Sequence, residues 1–309
     1  MKRYFFSLIA SVVFFIYGIY VGKDQIFPYA EMKSTVSFVN DIFYLKPKPK
    51  PKPKPKPKPN KLITYKKTHQ GDLYLHAFYP AEFSVNDKRP SVVFFFGGGW
   101  KSGSARQFYR QCEYLTKLNI VCFSADYRVS GFHKTTPIES VEDAKSAIRF
   151  LRSNANNLGL DENKIAAGGG SAGGHIAAAA GSLPLYDDFQ NENMDVSSKP
   201  NLLILFNPVY DNSKDGYGFD RVKHYWKQFS PRHNLSKNMP PSIVFFGDQD
   251  NYITPNMARD FKKTLDNYDV YNELYIYKNQ KHGFFNKEKY LKDTMLKTSE
   301  FLKLNGYLP

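Results

Sequence analysis

A serine hydroxyl attacks a carbonyl only where its oxygen is exposed, a base can take its proton and fixed donors await the resulting negative charge. Residues 168–180 read GGGSAGGHIAAAA and place Ser171 in the pattern Gly169-x-Ser171-x-Gly173, between an apolar run and an alanine-rich helix. A serine at such a strand-to-helix elbow needs a strained backbone and close neighbours without Cβ, which is the reason for glycine two residues before and two after it. The helix N-terminus then favours the developing charge. Glycine-rich strand-to-helix loops also cradle phosphates. That reading needs a P-loop lysine or a GxGxxG context with an acidic partner on a second strand; GGGSAGG lacks the lysine, and no acidic partner near 190 follows a clear second strand.

Phe96-Gly97-Gly98-Gly99-Trp100 follows the apolar run 91–96 and is the candidate oxyanion loop, with the N–H groups of Gly98, Gly99 and Ala172 as donors. Of the seven histidines, His224, His233 and His282 follow Ser171 in the chain order Ser, acid, His that this chemistry takes on an open α/β sheet. His282 alone stands in a short loop after a late strand and is the candidate base. His175 lies one helical turn beyond Ser171, points away from the elbow and is read as a packing residue. The carboxylate that orients the base is expected at the end of the preceding strand, SIVFFGDQD, where Asp250 is the choice and Asp248 the fallback.

These residues need a sheet whose carboxyl edge collects them. Apolar runs at 91–96, 120–125, 164–167, 202–206, 242–246 and 274–277 read as buried strands. Between them lie helical periods. In 139–152, Val141, Ala144, Ile148 and Leu151 share one face, with Glu142, Lys145, Arg149 and Arg152 toward water, and Met257, Phe261 and Leu265 repeat at i, i+4, i+8. Alternating strand and helix implies an α/β fold with a mostly parallel sheet covered on both faces, and 62–79 is expected to add antiparallel strands at one edge. Segments 183–200 and 210–241 are expected beside the site. Their Tyr210, Tyr217, Phe219, Tyr225 and Trp226 would either stack on substrate or form the small core of a lid.

The first sixty residues differ from the rest. Tyr4 to Gly22 holds no charge over 19 positions, about 28 Å as a helix, behind Lys2 and Arg3. It is expected to be an uncleaved signal anchor with the bulk of the chain outside the cytoplasm; a cleaved signal peptide and secretion is the alternative. Residues 23–60 form a linker that ends in seven Lys-Pro pairs over 46–59, a polyproline II spacer of roughly 43 Å. Its lysines could also touch anionic envelope surfaces. The catalytic domain is expected over 61–309. Residues 1–60 hold 11 Lys and Arg against three acidic residues, leaving 32 basic and 26 acidic residues downstream, so the net charge of +14 does not describe a nucleic-acid binder. Cys112 and Cys122 are too few for a disulfide scaffold and are not spaced as a zinc site; both are expected to be buried thiols, with a single disulfide as the alternative in an oxidising compartment.

In order along the chain, FFFGGGW, SADYR at 124–128, GGSAGGH and HGFF resemble bacterial acetyl esterases of the α/β-hydrolase superfamily. The likeness runs from about 70 to 305 and is strongest to the bifunctional feruloyl and acetyl-xylan esterase group, near the hormone-sensitive-lipase-like branch. The resemblance implies a triad of Ser171, Asp250 and His282, oxyanion donors at Gly98, Gly99 and Ala172, no metal or cofactor, and small acyl esters, acetylated carbohydrate among them, as substrates. Lys-Pro runs of this kind resemble the stalks of bacterial envelope proteins. Two departures stand out: many relatives of the lipase branch have His where Phe96 stands, and Asp where Gly170 stands. The first removes a side chain that braces the glycine loop. A peptidase of the prolyl-oligopeptidase type shares the triad order but carries a propeller for which this chain has no room. A non-catalytic binding module on the same fold is the reading of a different class.

Overall fold

Chains in which valine, isoleucine and phenylalanine run uninterrupted for five or six residues bury both faces of the strand they form. The computed structural model describes residues 56–309, and there these runs form β3 (Arg89–Phe95), β4 (Val121–Ala125), β5 (Leu160–Gly170), β6 (Leu202–Phe206), β7 (Ser242–Gly247) and β8 (Asn272–Tyr277). With β1 (Lys61–Thr68) and β2 (Gly71–Phe78) they make one eight-stranded sheet in the order β1-β2-β4-β3-β5-β6-β7-β8. β2 runs antiparallel to both β1 and β4, and the remaining pairs are parallel. The expected anchor segment 4–22 and residues 23–55 of the linker, which include 46–55 of the Lys-Pro spacer, lie outside the described residues. Among the described residues no helix is long and apolar enough to cross a membrane.

Strand alternation divides the core into two layers. Val93, Phe95, Leu203, Leu205, Val244 and Phe246 face α2 (Pro137–Ser153), α3 (Ala172–Ser182) and α4 (Pro255–Asn267). Val92, Phe94, Ile204, Phe206, Ile243 and Phe245 face α1 (Tyr109–Thr116) and α5 (Glu288–Leu304). α2 starts where the sequence gives the strongest start signal: Thr136 caps it, Glu139 returns a bond to the Thr136 N–H, and Pro137 occupies the first turn. β5 runs further than the apolar run 164–167, into Gly168, Gly169 and Gly170. Glycine has no strand preference of its own, and the ladder to Phe94 and Phe95 on one side and Phe206 on the other holds it there.

Three expectations are corrected. The polar side of α2 does not face water: Lys145 is 2% exposed and Arg149 5%. The connection 183–200 covers that face and supplies the countercharges, with Asp187 accepting from both cations and Glu192 from Arg149. Lys145 also donates to the carbonyls of Leu183 (2.8 Å) and Leu185 (2.6 Å), which stitches the connection to the helix. Since α3 runs back from the carboxyl edge and 183–200 leads into the start of β6, this segment wraps the opposite end of the sheet and not the edge that holds Ser171. The cysteines are not free thiols. Cys112 of α1 and Cys122 of β4 are joined in a disulfide, with Cα atoms 5.1 Å apart.

The bridge closes a ten-residue separation, for which loop-closure entropy in the unfolded chain corresponds to roughly 3 kcal/mol. Urea unfolding with and without dithiothreitol is expected to show a loss of that order on reduction; an unchanged midpoint would remove the bridge from the account.

Candidate active site

β5 and α3 meet at Ser171, whose backbone is held at φ 55° and ψ −119°, a region that a residue with a Cβ rarely enters. The neighbours make the turn achievable. A Cβ on Gly169 would lie 2.5 Å from the Phe95 carbonyl oxygen, and one on Gly173 would collide with the Phe95 and Phe96 carbonyls. Both glycines of the sequence pattern are thus places where α3 presses onto the end of β3. The Ser171 N–H donates to the Phe206 carbonyl (3.0 Å), tying the elbow to β6 as well.

Two loops from later strands reach the serine. His282, after β8, has Nε2 2.8 Å from Ser171 Oγ and Nδ1 2.7 Å from Asp250 Oδ2. The Asp250 side chain is fully buried, and its Oδ1 accepts the N–H groups of Tyr252 (2.9 Å) and Ile253 (3.3 Å) in the turn after β7. One carboxylate oxygen holds its own turn and the other holds the imidazole. The fallback Asp248 is exposed and outside this array. His224 is exposed, and His233 pairs with Ser230 Oγ at 2.9 Å.

The glycine loop lies against the serine: a Cβ on Gly97 would be 3.1 Å from Ser171 Cβ. Gly97 N–H is already taken by Gln107 Oε1 (2.5 Å). The N–H groups of Gly98, Gly99 and Ala172 donate to no protein acceptor among the described residues, which leaves them to a ligand. Phe96 does not brace this loop with a polar side chain; three other residues do so. Tyr127 stacks on Phe96 at 4.1 Å and donates its hydroxyl to the Phe96 carbonyl (2.7 Å), Gln107 holds Gly97, and the Arg221 guanidinium donates to the Gly99 carbonyl while lying 5.3 Å from the Trp100 ring. Tyr127 was inside the legible SADYR run. Gln107 and Arg221 carry no sequence signal, because their partners are backbone atoms brought near only by folding.

The aromatic residues of 210–241 divide between the two roles open to them. Tyr210 stacks on Phe261 at 4.2 Å in the core, Tyr225 meets Phe229 edge-on, and Trp226 meets His233. Tyr217 faces the site: its hydroxyl would be 2.5 Å from a Cβ on Gly99, and its ring meets Tyr252, which in turn meets His282 edge-on at 4.7 Å. His175 is buried, with Nε2–H directed at Asn212 Oδ1 (2.9 Å) and the Phe229 carbonyl (3.1 Å). Burial in this aromatic layer pushes its imidazole down to about 3.

Two outcomes follow from these contacts. Tyr127→Phe leaves the buried Phe96 carbonyl unpaired, at about 1–3 kcal/mol, and is expected to lower kcat with little change in KM in steady-state ester assays. For His175 the unfolded chain takes up a proton near pH 6.5 that the fold refuses until about 3. Its contribution is complete above roughly pH 6.5 and is lost toward pH 3, by up to about 1.4 kcal/mol per pH unit. His175→Gln is expected to flatten that slope in urea unfolding measured across pH; an unaltered slope would contradict it.

Comparison with known proteins agrees with the fold. The BD-FAE family profile matches residues 75–213 and the dienelactone hydrolase family profile residues 211–301, so Ser171 falls in the first stretch and Asp250 and His282 in the second. Esterase LipC of Mycobacterium tuberculosis is 30% identical over 199 residues, 57% of this chain and 48% of its own. Acetylxylan esterase of Xylanibacter ruminicola is 24% identical over 244 residues, 72% of this chain and 46% of its own. The chain spans about half the length of the curated relatives it matches. Among solved structures, the propionate-bound thermophilic esterase Est2 of the planctomycete Thermogutta terrifontis superimposes with a TM-score of 0.76 at 38% identity, covering 82% of this chain and 96% of that one. A sheet of this order, matched nearly end to end by a known esterase, places the chain among the esterases of the α/β-hydrolase superfamily, to which it belongs.

Proposed function

We propose that the protein is a serine carboxylic ester hydrolase with Ser171 as nucleophile, His282 as general base and acid, and Asp250 as the carboxylate that orients it. The observation that carries this reading is the unbroken line of contacts Ser171 Oγ, His282 Nε2, His282 Nδ1, Asp250 Oδ2, at 2.8 and 2.7 Å, beside the free N–H groups of Gly98, Gly99 and Ala172. His282 takes the hydroxyl proton as Oγ bonds to the ester carbonyl carbon, and the oxyanion is received by those N–H groups. Collapse breaks the bond to the alkoxide, which leaves with the proton from Nε2. Water, deprotonated by the same nitrogen, then releases the acid and restores the serine. Asp250 stays ionised and stabilises the imidazolium of each intermediate.

Small acyl groups, acetyl above all, are the proposed acids, and acetylated carbohydrate the proposed natural substrate. The relative from Xylanibacter is named for acetylxylan, and the Thermogutta esterase is described with propionate and with butyrate bound. Tyr217, crowded against Gly99 and joined through Tyr252 to His282, limits the room beside the oxyanion loop and favours short acyl chains. The site of action is proposed to be the bacterial envelope, outside the cytoplasm, on an anchor at 4–22 and a Lys-Pro spacer. The Cys112–Cys122 disulfide supports an oxidising compartment.

Ser171→Ala is expected to lower turnover of p-nitrophenyl acetate by at least ~10³-fold, with acetate release from acetylated glycans lost in parallel. A variant that keeps its activity would refute the nucleophile, and hydrolysis of peptides in place of esters would favour the peptidase reading. Absence of acetate release from every acetylated glycan tried would remove the carbohydrate substrate while leaving the esterase in place.

A further inference from the structure

The first residue after β6 is a buried asparagine, Asn207, at φ 36°, a backbone region that asparagine and aspartate enter more readily than other side-chain-bearing residues. Its own N–H donates to the Phe245 carbonyl (2.7 Å), and the residue before it supplies the carbonyl that holds the Ser171 N–H. The asparagine is therefore fixed in the same stretch of backbone as the elbow. Its side chain spans the gap to the loop of the base: Oδ1 accepts the Gly283 N–H (3.1 Å), and Nδ2 lies 3.3 Å from His282 Nε2.

The amide has one workable orientation. Turned over, it would set its NH₂ against the Gly283 N–H and its oxygen against the lone pair of Nε2, replacing two attractive contacts with two repulsive ones. Locked as found, it directs a donor at Nε2. The neighbours of the imidazole explain what that donor meets. Asp250 is at Nδ1, so the ring proton sits there; Ser171 and Asn207 are at Nε2; the Tyr252 ring stands across the plane. Asp250 is the one charged group among these contacts.

We propose that Asn207 is a positioning residue for His282: it ties the base loop to the elbow and presents to Nε2 a group that donates and never accepts a proton. The proposal rests on the triad reading. In the resting site the amide N–H shares the Nε2 lone pair with the Ser171 hydroxyl, at 3.3 against 2.8 Å, and so helps to keep the proton on Nδ1 and the acceptor turned toward the serine. Once Nε2 has taken the Ser171 proton, the amide nitrogen offers no lone pair to receive it. The leaving alkoxide is then the acceptor at hand, and it departs with that proton.

Asn207→Asp separates the two functions. It keeps an acceptor for the Gly283 N–H and a residue that tolerates this backbone, while it replaces the donor at Nε2 with a carboxylate oxygen. With full-length protein and p-nitrophenyl acetate, kcat near neutral pH is expected to fall at least ~10-fold with KM held within about twofold. The acid limb of kcat/KM is expected to move up by about one to three pH units, since a carboxylate at Nε2 favours its protonated form. Asn207→Ala, which removes both bonds, is expected to lose kcat without the upward displacement of that limb. Wild-type kcat and an unmoved acid limb in Asn207→Asp would overturn the proposal, as would failure of both variants to fold, which would make the residue structural. Ser171→Ala is assayed alongside: activity there refutes the triad, whereas an active Asn207→Asp beside an inactive Ser171→Ala refutes the positioning role alone.

Discussion

The close approach of α3 to the end of β3 is the constraint on which the site depends. Gly173 lies against the Phe95 and Phe96 carbonyls with no room for a Cβ, and this contact lets the chain reverse through Ser171 at a positive φ. From it follow the exposure of Oγ at the carboxyl edge, the placement of the Ala172 N–H beside it, and the position of the glycine loop, which leaves β3 next door to β5. Because backbone resists displacement where a side chain would yield, a methyl group at this point would separate helix from strand and disperse all three.

The remaining parts are held by contacts that each serve a neighbour as well. Asp250 spends one oxygen on its own turn and the other on His282. The glycine loop, with Phe96 at its start, is held through main-chain atoms by Tyr127, Gln107 and Arg221. Arg221 comes from the segment that also carries Tyr217, so the wall of the site and the brace of its donor loop are one piece of chain. Farther away, Lys145 and Arg149 fasten 183–200 to α2 in ion pairs with little solvent around them, a fastening at the opposite edge of the sheet from the serine.

Much of this was legible in the residues. The apolar runs marked the six strands from β3 to β8, because strands buried on both faces leave no polar alternation to confuse them with surface. Ser171, Asp250 and His282 were legible because each stands at a strand end beside turn residues; chain order left His224, His233 and His282 for the base, and the loop after a late strand singled out His282. Contacts to backbone were not legible: Gln107 and Arg221 act on atoms that every residue possesses, as Asn207 does where it holds the Gly283 N–H, so spacing does not announce them. Asn207 did carry one faint mark, a polar side chain directly after an apolar strand at the catalytic edge. The charges of 139–152 misled, since a helical period records which residues share a side and not whether a later segment will cover it. The distance from 183–200 to the site was recoverable from topology alone, because a connection from helix to strand returns to the opposite edge.

The central claim, that one activated serine forms a covalent intermediate, is tested most directly by intact-protein mass spectrometry after treatment with paraoxon, followed by peptide mapping. A single phosphoryl adduct at Ser171, formed in step with loss of ester hydrolysis, is the predicted result. Hydrolysis that persists without an adduct, or an adduct at another residue that accounts for the loss, would contradict the account.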